Sequence, residues 1–308
     1  MGRVLTIGET MGVAVTAVGD PVRTARDARL SIAGAESTVA IGLRRLGIES
    51  CWVGVVGADE FGRRILRELA AEGVDVSTVR VHAEASTGFM LRELRTSELT
   101  RVTYYRSGSA GSHLDVSDID RTFAAFNPDL VHITGITAAL SESAAGAIVH
   151  AVRCARDVGA EVSLDANHRA TLPRGRAAID VLRDVLPDVD VLFVGVDELH
   201  VLPDGVPLTK LGPAEVVVKR GVDGATVFAA GVELRGGAFA VAVADVIGAG
   251  DSFVAGYLAA RAEQLPIAQR LHWASVCAAF TVGTHGDWEG LPTRAELAAF
   301  DGAAKTVR

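Results

Sequence analysis

Short apolar runs alternate with amphipathic helical stretches along most of this chain, and that alternation limits the folds open to it. In Glu142–Arg156 the apolar residues fall on one helical face, whereas the preceding run Leu130–Thr134 has the length and composition of a buried strand. Strands separated by helical connections pair in parallel, with helices on both faces of the sheet. The sequence therefore predicts an α/β fold with a mostly parallel central sheet.

The candidate elements cover most of the chain, and no proline- or serine-rich linker divides them, so we expect one domain over residues 1–308. The strand candidates are Arg3–Ile7, Cys51–Val55, Leu130–Thr134, Glu161–Leu164, Val191–Val194 and Glu215–Val218. The helix candidates are Ser37–Leu46, Phe61–Ala71, Glu142–Arg156, Arg174–Leu186 and Asp197–Leu202.

Two regions, at about residues 13–32 and 87–106, break the alternation. Val13–Val18 with Arg29–Ile32, and Gly88–Leu94 with Arg101–Tyr105, have the pattern of antiparallel ribbons. Strands inserted into an α/β domain form a small second sheet, which could cover a site, mediate dimerisation or serve structure alone.

Near the C-terminal end, the segment Asp245–Phe253 joins an apolar run to an alanine-rich stretch. The run Phe239–Ala244 is predicted to be a buried strand, and a helix is predicted over Ser252–Ala262. Gly248 and Gly250 allow a tight turn between them and a close approach of a ligand to the backbone.

Asp251 stands where this helix is predicted to start. The amides and the positive dipole end of a helix suit an anion such as phosphate. Asp251 could accept the proton of an acceptor hydroxyl while the amides of Ala249 to Ser252 hold a transferring phosphoryl group. The alternative is an acidic residue that only complements the helix dipole. A carboxylate inside an anion site favours phosphoryl transfer.

The sequence argues against two other phosphate-binding motifs. In the dinucleotide motif G-x-G-x-x-G the third glycine would stand where the chain has Phe253. The P-loop pattern G-x-x-x-x-G-K-[ST] occurs nowhere in the sequence. Any phosphate bound here must therefore be held by amides of the helix end.

Further polar residues follow strand candidates, where ligand sites of open parallel sheets lie. Asp165, Asn167 and Arg169 follow Glu161–Leu164. Arg169, and Arg106 in the ribbon region, could bind a substrate carboxylate, although a solvated surface arginine is the common alternative.

Two more strand ends carry candidate ligand-binding residues. Glu198 could order magnesium through water, or simply begin a helix. Lys219, Gly221 and Gly224 could let a nucleotide lie close to the backbone, or could form a hairpin turn.

Charge and cysteine content exclude other classes. The net charge of −8 argues against a nucleic-acid binder that works by neutralising phosphates. The three cysteines form no C-x-x-C pair, so neither a disulfide framework nor a zinc site is indicated. No signal peptide or membrane-length apolar run is present, and we expect a cytoplasmic protein with no membrane partner.

The loop Asp245–Phe253 closely resembles the C-terminal signature of the ribokinase, or PfkB-type, carbohydrate kinases. The segments Ala33–Ala40 and Gly54–Gly62 resemble the N-terminal sugar-binding region of that family, and the likeness covers nearly the whole chain. Within the family, the chain is most similar to kinases of the sugar acid 2-keto-3-deoxygluconate, through Tyr104–Ala110, Thr134–Thr137 and Ser163–Arg169.

This resemblance implies a ribokinase-like three-layer α/β/α domain with a small β-sheet lid, and a homo-oligomer formed through the lid. It also implies phosphorylation of a terminal hydroxyl that depends on ATP and Mg²⁺, and it leaves open a dependence on a monovalent cation. Asp251 would be the base, and Gly248, Ala249 and Gly250 would form the anion hole.

The remaining site residues are implied by the same resemblance. Besides Asp251, the residues that would line the sugar-acid pocket are Gly34, Phe89, Tyr104, Arg106 and Arg169. The residues that would lie near ATP are Asn167, Lys219, Gly221, Gly224, Gly248 and Gly250, with Glu198 ordering the metal through water. The positions that depart from the family pattern are Ala33, Thr38, Phe89 and Gly195.

The leading hypothesis is therefore a kinase of a sugar acid, most similar in sequence to those that form 2-keto-3-deoxygluconate 6-phosphate. Its physical support is the arginine pair Arg106 and Arg169, because a neutral sugar has no carboxylate to offset two buried cations. The alternatives are a kinase of a neutral sugar such as ribose or fructose, and a non-catalytic regulator that binds a sugar or nucleotide. Asp251 argues against the regulator, which needs no base.

Overall fold

The computed structural model describes residues 2–96, 99–172 and 174–301, and its strands form three sheets. The strands are β1 (Arg3–Ile7), β2 (Met11–Val15), β3 (Arg29–Ala33), β4 (Glu49–Val53), β5 (Val55–Gly57), β6 (Arg80–His82), β7 (Phe89–Leu94), β8 (Thr100–Tyr105), β9 (Leu130–Thr134), β10 (Glu161–Asp165), β11 (Val191–Gly195), β12 (Glu215–Lys219), β13 (Ala225–Ala229) and β14 (Val232–Gly236). The helices are α1 (Ala35–Arg45), α2 (Glu60–Ala71), α3 (Val116–Phe126), α4 (Gly135–Ala138), α5 (Glu142–Val158), α6 (Gly175–Val185), α7 (Ala249–Ala262), α8 (Ile267–Val282) and α9 (Arg294–Asp301).

The main sheet has eight strands in the order β14-β13-β12-β11-β10-β9-β1-β4. From β4 to β12 neighbouring strands are parallel, and β13 and β14 are added as antiparallel hairpins. Successive side chains of β11 enter different cores: Val191 and Phe193 pack on one face of the sheet, Leu192 and Val194 on the other. The predicted mostly parallel sheet, buried on both faces, is confirmed.

Helices cover both faces and complete three layers. On one side Ile119 of α3, Ile148 of α5 and Leu182 of α6 belong to a single apolar core. On the other, residues of α1, α7 and α8 form the second large core, with Val254 and Leu258 fully buried. The predicted α/β/α architecture is therefore confirmed, since each amphipathic helix buries its apolar face against the sheet.

The two predicted ribbons form one smaller sheet, in the order β3-β2-β7-β8. Strands β2 and β3 are antiparallel, as are β7 and β8, and the parallel pairing of β2 with β7 joins the ribbons. We call this four-stranded sheet the lid sheet. Strands β5 and β6 pair in parallel and form the third sheet, which has only these two strands among the described residues.

Two predictions about secondary structure are wrong. Residues 239–244 form no strand, and the side chain of Val243 is 58% exposed. The alternation of Phe239, Val241 and Val243 is typical of a strand, but β14 already occupies the edge of the sheet. The segment instead runs along the surface, and Ala244 donates a hydrogen bond to the Val282 carbonyl. The helix expected after β11 is a 3₁₀ segment, Val196–Val201.

Among the residues that the structure describes, no helix has the length and apolar character needed to cross a membrane.

Candidate active site

A cavity of about 1030 Å³ lies between the lid sheet and the carboxyl ends of the parallel strands. Met11, Met90 and Tyr104 line it from the lid sheet. Residues that follow β10, β11 and β12 line the opposite wall, together with the first turn of α7. Parallel strands all end at one edge of a sheet, which explains how residues far apart in sequence meet here.

Residues 245–250, here called the anion loop, lead into α7. Gly248 has a φ of +79°, a left-handed conformation, and a Cβ built on it would lie 2.1 Å from the Asp287 carbonyl oxygen. Only glycine fits without strain. Helix α7 begins at Ala249, and amides of a first turn have no acceptor within their own helix. Gly248 and Gly250 line the cavity, but Ala249 donates its amide to the Val246 carbonyl at 3.4 Å and Ser252 to the Gly248 carbonyl at 2.8 Å. The amides of Gly250 and Asp251 are therefore the best candidates for the anion site, which stays a prediction.

Asp251 lies in the first turn of α7 and lines the same cavity. Its Oδ1 accepts a hydrogen bond of 3.3 Å from Nδ2 of Asn167. Burial and the negative charge of Asp165 raise the pKa of Asp251 to about 7, and the ammonium of Lys219 opposes that rise. A carboxyl group with such a pKa exchanges its proton near neutral pH, as a general base must.

Lys219, at the end of β12, is held by Asp165 at the end of β10. Its Nζ lies 2.8 Å and 2.6 Å from the two carboxylate oxygens. Burial, the largest single cause, lowers the pKa of Lys219, but the charge and hydrogen bonds of Asp165, together with the charges of Glu198 and Asp251, outweigh it and raise the pKa. A Cβ built on Gly250 would lie 3.8 Å from this ammonium. The lysine is therefore a fixed positive charge beside the anion loop.

Glu198 follows β11 and lines the cavity wall. Its Oε1 accepts the His168 amide and its Oε2 the Gly195 amide, each at 2.8 Å. These bonds tie the segment after β10 to the segment after β11. Asp197 is exposed at the cavity wall beside it. The oxygen donors of this pair suit a hard cation such as Mg²⁺.

Arg106 lines the cavity but is already neutralised. Its Nη2 lies 2.5 Å and its Nε 2.8 Å from Oε2 of Glu9, which follows β1 and is 2% exposed. Ser109 donates its hydroxyl to the other Glu9 oxygen. The premise that a substrate carboxylate must offset two buried arginines is therefore wrong for Arg106.

Arg169 differs from Arg106 in both exposure and pairing. It is exposed, lines the cavity, and donates from Nη1 to the His168 carbonyl at 3.4 Å. Within the described part of the chain, no carboxylate forms a salt bridge with it. Arg169 is therefore a positive charge of the cavity that is available to an acid.

The structure leaves Phe89 and Gly224 out of the cavity lining. The Phe89 ring packs on Phe61, at 5.2 Å between centroids, and on Tyr105, because strand alternation turns it away from the cavity. Its neighbour Met90 lines the cavity instead. Gly224 lies in the turn between β12 and β13, next to the first residue of β13. The predicted site residues at the cavity wall are Gly34, Tyr104, Arg106, Asn167, Arg169, Glu198, Lys219, Gly221, Gly248, Gly250 and Asp251, while Ala249 starts α7.

Glu9 and Glu36 are among the carboxylates of the cavity that were not predicted from the sequence. Glu9 stands just beyond β1, where the rule of strand ends could have indicated it. Glu36 lies within the segment that resembles a sugar-binding region. Its Oε1 accepts hydrogen bonds of 2.6 Å from Thr134 and Thr137, and burial raises its pKa.

A model of the pfkB family carbohydrate kinases matches residues 1–294. The chain belongs to this family. Among curated proteins, 2-dehydro-3-deoxygluconokinase of Bacillus subtilis (strain 168) is 36% identical over 287 residues, which cover 90% of this chain and 88% of that protein. The enzyme of the same name from Thermoproteus tenax is 36% identical over 276 residues, 86% of this chain and 83% of that protein.

Solved structures agree with this assignment. A PfkB protein from Polaromonas sp. JS666 superposes with a TM-score of 0.85 at 32% identity and covers 97% of this chain and 100% of its own. A putative ribokinase II from E. coli, solved in complex with ATP and Mg²⁺, has a TM-score of 0.88 at 25% identity, covering 99% and 100%. The ribokinase-like fold is thus shown, and the chain is a carbohydrate kinase, a phosphotransferase with an alcohol acceptor.

Two glycines of the anion loop should respond differently to alanine. Gly248→Ala should lower the free energy of unfolding by at least about 1–3 kcal/mol, because its φ is positive and Asp287 blocks the Cβ. Gly250→Ala meets only the Lys219 ammonium and should fold normally, yet lose turnover because its methyl group enters the anion site. Chemical denaturation and a coupled kinase assay measure both. Gly146→Ala, with open space on the surface of α5, is the control. Full activity of Gly250→Ala would contradict the anion site.

Proposed function

We propose that this protein transfers the terminal phosphoryl group of ATP to the terminal hydroxyl of a sugar acid, 2-keto-3-deoxygluconate, forming the 6-phosphate. The observation that carries the reaction is Asp251, a carboxyl group with a pKa of about 7 inside an anion site at a helix start. The acceptor is supported by the two relatives at 36% identity, whose names contain 2-dehydro-3-deoxyglucono-, the same sugar acid.

In this proposal Asp251 takes the proton of the acceptor hydroxyl as the oxygen attacks phosphorus. The Asn167 amide holds the carboxylate in position through Oδ1. The first-turn amides of α7 bind the oxygens of the transferring group, and their fixed dipoles stabilise the charge that spreads over those oxygens in the transition state. Because the helix end replaces a P-loop, the chain needs no lysine within the loop itself.

The nucleotide would lie along the ends of β11 and β12. Lys219 supplies a fixed positive charge beside the anion loop, and Gly221, with a φ of +58°, turns the backbone at the cavity wall. We propose Gly224 as a support of that turn, since a Cβ there would meet the Gly236 carbonyl at 2.0 Å. Excluding water behind the lid sheet would favour the sugar hydroxyl as acceptor.

The carboxylates after β11 fit a magnesium ion. Asp197 is exposed at the cavity wall, and Glu198 keeps acceptor capacity beyond the two amides it binds. When bound, the ion neutralises phosphate charge. The chain's own residues orient the groups around this site. Glu198 ties together the segments that carry Asn167 and Asp197, so both side chains line the same cavity. Dependence on a monovalent cation is left open by the site itself.

The acceptor pocket would lie between Gly34, Tyr104, Arg106 and Arg169. Arg169 is the proposed partner of the substrate carboxylate. The Arg106–Glu9 pair has no net charge and would donate hydrogen bonds to hydroxyl or keto oxygens. That same neutrality favours one alternative, a kinase of a neutral sugar.

We also propose that the chain works as one domain in the cytoplasm, as a homo-oligomer joined through the lid sheet. The edge strand β8 supports this assembly, because Tyr105, which is outside the cavity lining, is 59% exposed there.

A coupled assay with ATP and Mg²⁺ over sugar acids, neutral sugars and nucleosides tests the function. We expect turnover of 2-keto-3-deoxygluconate and a loss of at least about a hundredfold in kcat for Asp251→Asn, which removes the base but keeps the size of the side chain. Turnover of ribose or fructose, without any keto-deoxy acid, would select the neutral-sugar alternative. No Mg²⁺-dependent turnover of any acceptor would refute the kinase.

The pH profile should report the ionisation of Asp251. Because the base must be deprotonated, kcat/KM should fall about tenfold per pH unit below an apparent pKa near 7. Initial rates at fixed ionic strength across that range measure it. A profile that stays flat down to the usual pKa of a carboxyl group would contradict the raised pKa.

The same ionisation affects stability. A folded pKa above the unfolded value means that the stabilising contribution is complete below the unfolded pKa and is lost as the pH rises through about 7. At about pH 8, Asp251→Asn should therefore unfold with a free energy about 1–3 kcal/mol higher than the wild type, a gain that vanishes in acid.

Arg169→Ala tests the carboxylate contact. Loss of a charged hydrogen bond should raise KM for the sugar acid by about tenfold to a hundredfold while leaving KM for ATP nearly unchanged. Arg176→Ala, an exposed arginine of α6 outside the cavity lining, is the matched control. Equal increases in both Michaelis constants for Arg169→Ala would show that the residue does not read the carboxylate.

A further inference from the structure

Arg92 is a buried cation that the proposed mechanism does not use. It belongs to β7 of the lid sheet and is 1% exposed. Met90 and Leu94, two positions away on either side, share its face of the strand and are buried in an apolar cluster. A charged guanidinium is costly in such surroundings unless carboxylates neutralise it. The burial of Arg92 must therefore be explained by the groups that it binds.

Both partners lie outside the lid sheet, on the two segments that form the anion site. Nη2 of Arg92 donates to the Asp245 carboxylate, and Nη1 donates to the Asp287 carboxylate. Asp245 is the first residue of the anion loop. Asp287 follows α8 and places its carbonyl against Gly248. One guanidinium thus bridges the start of the loop and the segment that packs beneath it.

The Asp245 carboxylate binds backbone amides of both segments directly. Oδ1 of Asp245 accepts the Ile247 amide at 3.1 Å, and its Oδ2 accepts the Gly286 amide at 3.4 Å. Without a cation between them, Asp245 and Asp287 would repel each other, and one of them would have to take up a proton or move towards water. Either change would shift the amides that lead into α7.

We propose that Arg92 is a positioning residue, an internal cation carried by the lid sheet that holds Asp245 and Asp287 together and so sets the shape of the anion loop. This inference rests on the proposed role of that loop in binding the transferring phosphoryl group. It makes the lid sheet and the phosphate site one linked unit. Since the chain itself carries the cation at this point, the loop keeps its shape without a free monovalent cation between these carboxylates.

The test compares charge with size at position 92. Arg92→Gln removes the charge, whereas Arg92→Lys keeps it. We expect kcat to fall at least about tenfold in Arg92→Gln, and to remain within about threefold of the wild type in Arg92→Lys. KM for the sugar acid should change less than kcat, because the anion loop and not the sugar pocket is displaced. Arg101→Gln is the matched control, an exposed arginine of β8 paired with Glu93.

A rescue experiment separates positioning from folding. Arg92→Ala opens space for a small cation, so millimolar guanidinium should restore part of kcat, and an equal concentration of sodium chloride should not. If Arg92→Ala does not fold, the Gln and Lys variants decide. Equal kcat in those two, or a loss confined to KM, would overturn the proposal.

A second readout keeps this inference distinct from the proposed function. Binding of a non-hydrolysable ATP analogue that retains the terminal phosphate, followed by calorimetry, does not require the sugar acid to be the true acceptor. We expect weaker binding in Arg92→Gln and unchanged binding in Arg92→Lys and Arg101→Gln. A wild type that phosphorylates no sugar acid would refute the proposed substrate alone, whereas unchanged binding of the ATP analogue and unchanged turnover in Arg92→Gln would refute the role of Arg92.

Discussion

The unequal distribution of positive charge among the buried carboxylates is the constraint on which the site depends. Both carboxylate oxygens of Asp165 accept hydrogen bonds from the Lys219 ammonium. Asp251, a short distance away, receives one amide hydrogen bond from Asn167 and keeps a pKa of about 7. In the proposed mechanism, two neighbouring carboxylates in different environments thus have different functions, one structural and the other chemical. The pairing of Asp165 with Lys219 is what leaves Asp251 available as a base.

The backbone around Asp251 has a positive φ at one glycine, which adopts it without strain, and at one residue with a side chain. Gly248 is left-handed, and Asn167 has a φ of +31°, which is uncommon for a residue with a side chain. Both conformations are held by the ends of buried strands and by the first turn of α7. Strained backbone such as that of Asn167 persists only where the surrounding structure imposes it, and it is frequent where a ligand must meet backbone amides.

What the sequence could predict follows from the range of the interactions involved. The parallel sheet, the lid sheet and the anion loop with Asp251 were predicted, because periodicity and glycine spacing are local signals. The strand expected at Phe239–Ala244 was wrong, since local alternation does not show that β14 already occupies the sheet edge. The role of Arg92 could not be predicted from the sequence either. The carboxylates that it binds, those of Asp245 and Asp287, are distant in sequence, and only the fold brings them to β7.

The Arg106–Glu9 pair changes how a preference for an acid must be explained. A buried ion pair has no net charge to offer, so under the proposed function discrimination between acid and neutral sugars would depend on Arg169, which is exposed. An exposed charge in water gains little from a carboxylate, about 0–1 kcal/mol, but the same contact strengthens as the surrounding dielectric falls. Selectivity for an acid therefore requires that the lid sheet exclude water when the sugar is bound. The exclusion of water by the lid sheet would then account both for the choice of substrate and for the protection of the phosphoryl group from water.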